Sequence, residues 1–66
     1  MRNIIKQLRK QAELRQEDMA QALGVSRQTI IAIENDKYNP TLELAMRIAR
    51  LLGRPVEEIF FLEGDK

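Results

Sequence analysis

The 66-residue chain has no cysteine, no histidine and no tryptophan, and its aromatic content is 5%. Without cysteine no disulfide can form. The absence of histidine as well removes the usual zinc ligands and the commonest general base. Acidic residues are present, but no arrangement of them with a nucleophile suggests an enzyme, and no metal or cofactor is expected. No apolar run approaches the roughly 20 residues needed to span a bilayer. Arg2 and Lys6 are followed by no unbroken apolar stretch of the kind a secretory leader carries. The expectation is a cytoplasmic protein with no membrane partner and no evident small-molecule ligand.

What remains is one small domain, residues 1–66. A chain of this size buries only about 60% of the surface its unfolded form exposes, which favours a flat or convex working surface over a deep cleft. The net charge of +1 is unevenly placed. Met1 to Arg54 carries ten basic and six acidic side chains, whereas Val56 to Lys66 carries one basic and four acidic. A basic body with an acidic end suits a protein that sets one face on a polyanion. A soluble surface of mixed sign would give the same count.

Apolar spacing predicts five short helices with short connections. The first covers about Asn3 to Glu13, with Ile4 or Ile5, Leu8 and Ala12 in line and Leu14 as an anchor after it. The second covers Gln16 to Leu23, with Met19, Ala20 and Leu23 inward and Glu17 and Asp18 at its positive end. Gly24 suits the left-handed residue that ends a helix, and Ser26 suits the cap of the next. The third covers Arg27 to Asn35, with Ile30 and Ile33 inward. Lys37 to Pro40 form a polar loop, and Thr41 caps a fourth helix from Leu42 to Leu52. Its expected inner stripe is Leu42, Ala45, Ile48, Ala49 and Leu52, with Leu44 and Leu51 in surplus. A last helix starts near Pro55 and contains Val56, Ile59 and Phe60. The segment from Ile59 to Leu62 fits either a helix end or a short strand. Glu63 to Lys66 are expected to fray.

The segment from Gln16 to Asn35 carries the functional signal. Ala20 permits close helix approach, Gly24 permits a sharp reversal, and Val25 and Ile30 pin the turn. Two short helices crossing steeply, with the second offered to solvent, fit a DNA major groove. Arg27 can pair with guanine O6 and N7, and Gln28 with adenine N6 and N7. Ile31 and Ala32 can lie against a thymine methyl group, and Thr29 can reach a phosphate or a base edge. Gln16 can donate to a phosphate at the start of the second helix. Lys37, Tyr38 and Asn39 can hold the DNA backbone on the other side. Taken singly, Arg27 and Gln28 are compatible with plain surface residues, and Tyr38 with a packing residue.

These residues resemble the Cro/C1-type, or xenobiotic-response-element, helix-turn-helix family. The match runs through Gln16-Glu17-Asp18-Met19-Ala20, Leu23-Gly24-Val25-Ser26-Arg27-Gln28-Thr29-Ile30 and Ile33-Glu34-Asn35, then Lys37-Tyr38-Asn39-Pro40-Thr41-Leu42 and Leu44-Ala45. It covers about residues 4–62 and is similar to small stand-alone members. The resemblance implies an all-α, five-helix, lambda-repressor-like fold and a homodimeric repressor on a palindromic operator. It places Arg27, Gln28 and Ala32 at base edges, Gln16 and Thr29 on the backbone, and Lys37 and Asn39 along phosphates. It gives Glu34 a structural role near the end of the third helix. The chain departs from the pattern at Arg15, where Ser or Thr usually caps the second helix. The capping box is expected to be lost there, with the Arg15 side chain reaching a phosphate instead. It departs also at Ile31, where a small or polar residue is common, and at Arg54-Pro55.

Leu44, Leu51, Phe61 and Leu62 exceed the expected core and are read as a dimer interface. Adjacent Phe60 and Phe61 cannot both enter one small core. A terminal strand at Ile59 to Leu62, for which Met1 to Asn3 is a candidate partner, would lie near that interface. Two further functions fit the residues less well. One is a DNA-binding antitoxin, for which no long tail supplies a toxin-binding surface. The other is a helical protein-interaction module with no nucleic-acid role.

Overall fold

The computed structural model describes residues 1–63. Of the expected frayed end, residues 64–66 lie outside the described part. The elements in order are β1 (Arg2–Asn3), α1 (Ile5–Gln11), α2 (Gln16–Leu23), α3 (Arg27–Glu34), α4 (Leu42–Leu52), α5 (Val56–Ile59) and β2 (Phe60–Phe61). The fold is thus five helices joined by a two-stranded antiparallel sheet at the termini. Arg2 pairs with Phe61 and Asn3 with Phe60.

Local chemistry sets most boundaries. Ser26 and Thr41 cap α3 and α4 by accepting the amide hydrogens of Thr29 and Leu44 at 3.1 and 3.2 Å. Gly24 and Gly53 end α2 and α4 at φ of 71° and 70°, where a side chain would strain the backbone. Two further termini use left-handed acidic residues, Glu13 at φ 59° after α1 and Asp36 at φ 60° after α3.

α1 is shorter than its expected span. Asn3 is drawn into β1, and its Oδ1 accepts the Ile5 amide at 3.1 Å. At the other end, Ala12 is the C-cap and stands exposed. α5 stops at Ile59, because Phe60 takes an extended backbone and enters β2. The ambiguous segment therefore forms both a helix end and a strand. In the ribbon alternate side chains point to opposite faces. Phe60 is accordingly buried and Phe61 half-buried.

The core comprises Ile5, Leu8, Met19, Ala20, Leu23, Ile30, Ile33, Leu44, Ala45, Ile48, Ala49, Ile59 and Phe60. Two expectations for α4 are corrected. Leu44 is only 8% exposed and belongs to the core, whereas Leu42 is 74% exposed. Leu44 lies one turn before Ile48, so it continues the buried row. Leu42 is the first helical residue, and helical side chains lean toward the N-terminus, which carries it off the end of the body. Leu44 is therefore not surplus surface for an interface.

One charged pair joins this apolar interior. Arg9 and Glu34 have side chains 8% and 2% exposed, and Arg9 Nε donates to Glu34 Oε2 at 2.6 Å. Arg9 Nη1 also donates to the Leu14 carbonyl at 2.8 Å. Among the described residues no buried side-chain polar atom lacks a partner. No helix among them is long and apolar enough to cross a membrane.

Truncating one member of a buried ion pair leaves the other charge uncompensated, so Arg9→Ala should destabilise the domain by about 3–5 kcal/mol. The double replacement Arg9→Met with Glu34→Leu should cost far less, because it removes both charges and keeps volume. Urea midpoints of the three proteins test this. Equal losses in the single and double variants would contradict it.

Candidate nucleic-acid interface

The turn between α2 and α3 is fixed by backbone bonds on both sides of Gly24. The Gly24 amide donates to Gln21 O at 3.2 Å and the Val25 amide to Ala20 O at 3.0 Å. Val25 packs against the core and Ser26 starts the next helix at once. Ser26 Oγ and Thr29 Oγ1 are 2.9 Å apart, so the hydroxyl expected to reach a phosphate is already hydrogen-bonded within the protein. Ile30 and Ile33 are buried, which turns the opposite face of α3 outward. On that face Arg27 and Gln28 are exposed, and Ile31 and Ala32 are half-buried. Arg27 makes no ion pair among the described residues.

The other end of α3 meets the start of α2. Gln16 Nε2 donates to Glu34 Oε1 at 3.1 Å, and Arg9 Nη2 reaches the same oxygen at 3.4 Å. A carboxylate only accepts, so the amide nitrogen of Gln16 must face it. That nitrogen carries two hydrogens, and Glu34 engages one. Gln16 is therefore oriented by Glu34, and its second N–H is left for another acceptor. Arg9 lies against the carboxylate and offsets its charge. The structural role expected for Glu34 is present. Sequence reasoning misses its partner Arg9, although that residue lies four after Ile5 and beside Leu8, on the buried side of α1.

Arg15 corrects a further expectation. The capping box of α2 is kept in half rather than lost. Asp18 Oδ2 accepts the Arg15 amide at 2.9 Å, while the Arg15 side chain accepts nothing from the helix start. A guanidinium has donors only, and it turns onto the carboxylates instead. Nε and Nη2 donate to Asp18 at 3.1 and 3.2 Å, and Nη1 lies 3.4 Å from Glu17. Arg15 can reach a phosphate only by releasing or sharing these partners.

The loop after α3 is held by Lys37, whose amide donates to Ala32 O at 2.9 Å. The Met1 nitrogen donates to Asn39 Oδ1 at 3.2 Å, and Asn3 Nδ2 donates to Ile33 O at 2.8 Å and Asp36 Oδ1 at 3.2 Å. Lys37, Tyr38 and Asn39 are exposed. The fold thus gathers Arg15 and Gln16, the outer face of α3 and the 37–39 loop around one helix. No cluster of metal-binding side chains occurs among the described residues.

The family model for the helix-turn-helix matches residues 5–59. The chain is 53% identical over 66 residues to an uncharacterized HTH-type transcriptional regulator of Methanocaldococcus jannaschii, covering 100% of both chains. It is 40% identical over 65 residues to the uncharacterized HTH-type transcriptional regulator YgzD of Bacillus subtilis, covering 98% of each. Over 55 residues it is 34% identical to the cryptic phage CTXphi transcriptional repressor RstR of Vibrio cholerae, covering 83% of this chain and 50% of that protein.

Arg15 holds the Asp18 carboxyl below its ordinary value of 3.8, through side-chain hydrogen bonds first and the Arg15 amide second. A carboxyl depressed on folding stabilises the native state fully above its unfolded value, and that contribution is lost as pH falls through the folded value. Asp18→Asn should therefore flatten part of the acid limb of a stability profile taken between about pH 2 and 5. Thermal melts of both proteins across that window test it. Parallel profiles would contradict it.

Proposed function

The chain belongs to the helix-turn-helix family of transcriptional regulators, and from that premise we propose that it is a sequence-specific, Cro/C1-type repressor. It binds double-stranded DNA as a homodimer, and each copy lays α3 in the major groove of one half of a palindromic operator. The observation that carries this reading is the exposed Arg27-Gln28 pair at the start of a helix held at both ends. The Gly24 turn holds one end and the Gln16–Glu34–Arg9 network the other.

Arg27 and Gln28 read base edges, with Ala32 and Ile31 set against a thymine methyl or sugar. Gln16, Thr29, Lys37, Tyr38 and Asn39 hold the backbone, and Arg15 joins them by exchanging a carboxylate for a phosphate. Two recognition helices about 34 Å apart would match one turn of DNA.

The homodimer forms beside β2. Leu62 is 68% exposed and borders a groove of about 470 Å³ that Pro40, Leu42, Ala45, Val56 and Phe60 also line. Phe61 adds a half-buried ring at the same strand. Leu51 is exposed but does not line this groove. An apolar trough with an exposed leucine at its edge is what a second copy would fill.

Selection of bound sequences from a random duplex library tests the reading as a whole, since palindromic products with a fixed spacing are expected. Arg27→Ala should weaken specific binding far more than binding to random DNA. Lys37→Ala should weaken both and lower the salt-dependence slope by about one. Equal losses on both DNAs for Arg27→Ala would remove Arg27 from base reading.

Phe61→Glu and Leu62→Glu should each shift sedimentation toward monomer. An unchanged dimer in both would place the interface elsewhere.

A further inference from the structure

We propose that the outer face of α4 is a second self-association surface, on which α4 of another copy packs antiparallel. In that pairing Glu43 of each copy meets Arg50 of the other. It shares only Leu42 with the groove beside β2 and links one dimer to the next.

The face is apolar at its centre and charged along its length. Leu42 and Met46 are 74% and 47% exposed. With Glu43, Arg47 and Arg50 they wall an open groove of about 360 Å³. Positions 43, 46, 47 and 50 recur at helical spacing and form one stripe. Exposed methionine and leucine side chains with long aliphatic stems beside them offer adaptable contact surface. Among the described residues none of Glu43, Arg47 and Arg50 makes an ion pair, although Glu43 and Arg47 are four residues apart. Arg54 and Glu58, also four residues apart, do pair at 3.6 Å.

The order of charge along the stripe selects the occupant. Its negative residue lies at the N-terminal end and its positive residues at the middle and C-terminal end. A purely acidic partner would meet repulsion at Glu43. A second α4 meets complementary charge when it runs antiparallel. A two-fold axis midway between residues 46 and 47 leaves Glu43 and Arg50 equally distant from it, about 5 Å along the helix on either side. Each Glu43 then faces Arg50 of the other copy, while the two Arg47 side chains meet at the axis and must carry their like charges out to solvent on their flexible stems. Met46 of both copies lies beside the axis. Such an interface is isologous, and it would let two DNA-bound dimers touch on neighbouring sites.

Charge reversal tests this directly. E43R and R50E should each weaken concentration-dependent association beyond the dimer about tenfold, since two symmetry-related exposed pairs change from attraction to repulsion. E43R combined with R50E should restore it, because the pairs re-form with their signs exchanged. The readouts are sedimentation over a concentration series, and cooperativity on a duplex carrying two adjacent sites. Single variants that associate like the unaltered protein, or a double variant that fails to recover, would overturn the proposal. So would an R50E protein whose salt dependence falls on a single-site duplex, which would assign Arg50 to phosphate. In a Leu62→Glu background the α4 association should persist. Loss of the β2-edge dimer and loss of the α4 pairing are thereby read separately.

Discussion

The Glu34 carboxylate is 2% exposed, and an isolated buried charge of that kind would cost several kcal/mol. It is tolerated there because donors surround it. Arg9 brings α1, Gln16 brings the start of α2, and Glu34 itself ends α3. Arg9 also ties the Leu14 carbonyl, closing the connection between α1 and α2. Three helices therefore converge on one anion, and none can rotate without uncovering it. At the opposite end of the α2–α3 pair the Gly24 turn permits one reversal. A helix pair anchored at both ends has a defined angle, and the position of Arg27 and Gln28 relative to the body follows from it.

The helices themselves are short, from 4 to 11 residues. Isolated helices below about 12–15 residues are marginal in water, so each depends on its ends and its packed face. The ends are handled individually. Ser26 and Thr41 supply hydroxyl acceptors, Asp18 takes the Arg15 amide, and Asn3 takes the Ile5 amide. Asn3 also donates to Ile33 and Asp36 at the close of α3. The terminal ribbon is thereby coupled to the end of the candidate recognition helix. The surface beside β2 and the surface around α3 are two sides of one small body.

Legibility in the sequence follows the range of the determining interaction. α2 and α4 match their expected bounds because Gly24, Thr41 and Gly53 act within a few residues of themselves. The same holds for the turn and the cap that start α3. α1 falls short of its apolar spacing because Asn3 forms β1 with residues near the other end of the chain. Leu42 and Leu44 exchange roles because both fit an apolar stripe, and only packing decides its edge. Arg15 lacks a capping oxygen, yet its amide still finds Asp18. Arg9 passes as surface charge, since a basic residue one turn from Ile5 is ordinary until Glu34 lies opposite.

The sequence alone determined the helix count, the site of the reversal between α2 and α3, and the residue types at the start of α3. Those are local properties, fixed by helical period, backbone permissiveness and capping chemistry. Tertiary structure decided the rest. It chose which carboxylate is buried and which cation neutralises it, and it gave Gln16 a fixed orientation. It set Phe60 inward and Phe61 at the margin, and it left Leu42 and Met46 in solvent. Each of these depends on groups far apart in the chain meeting at hydrogen-bond or van der Waals distance. No periodicity in a single segment encodes such a meeting.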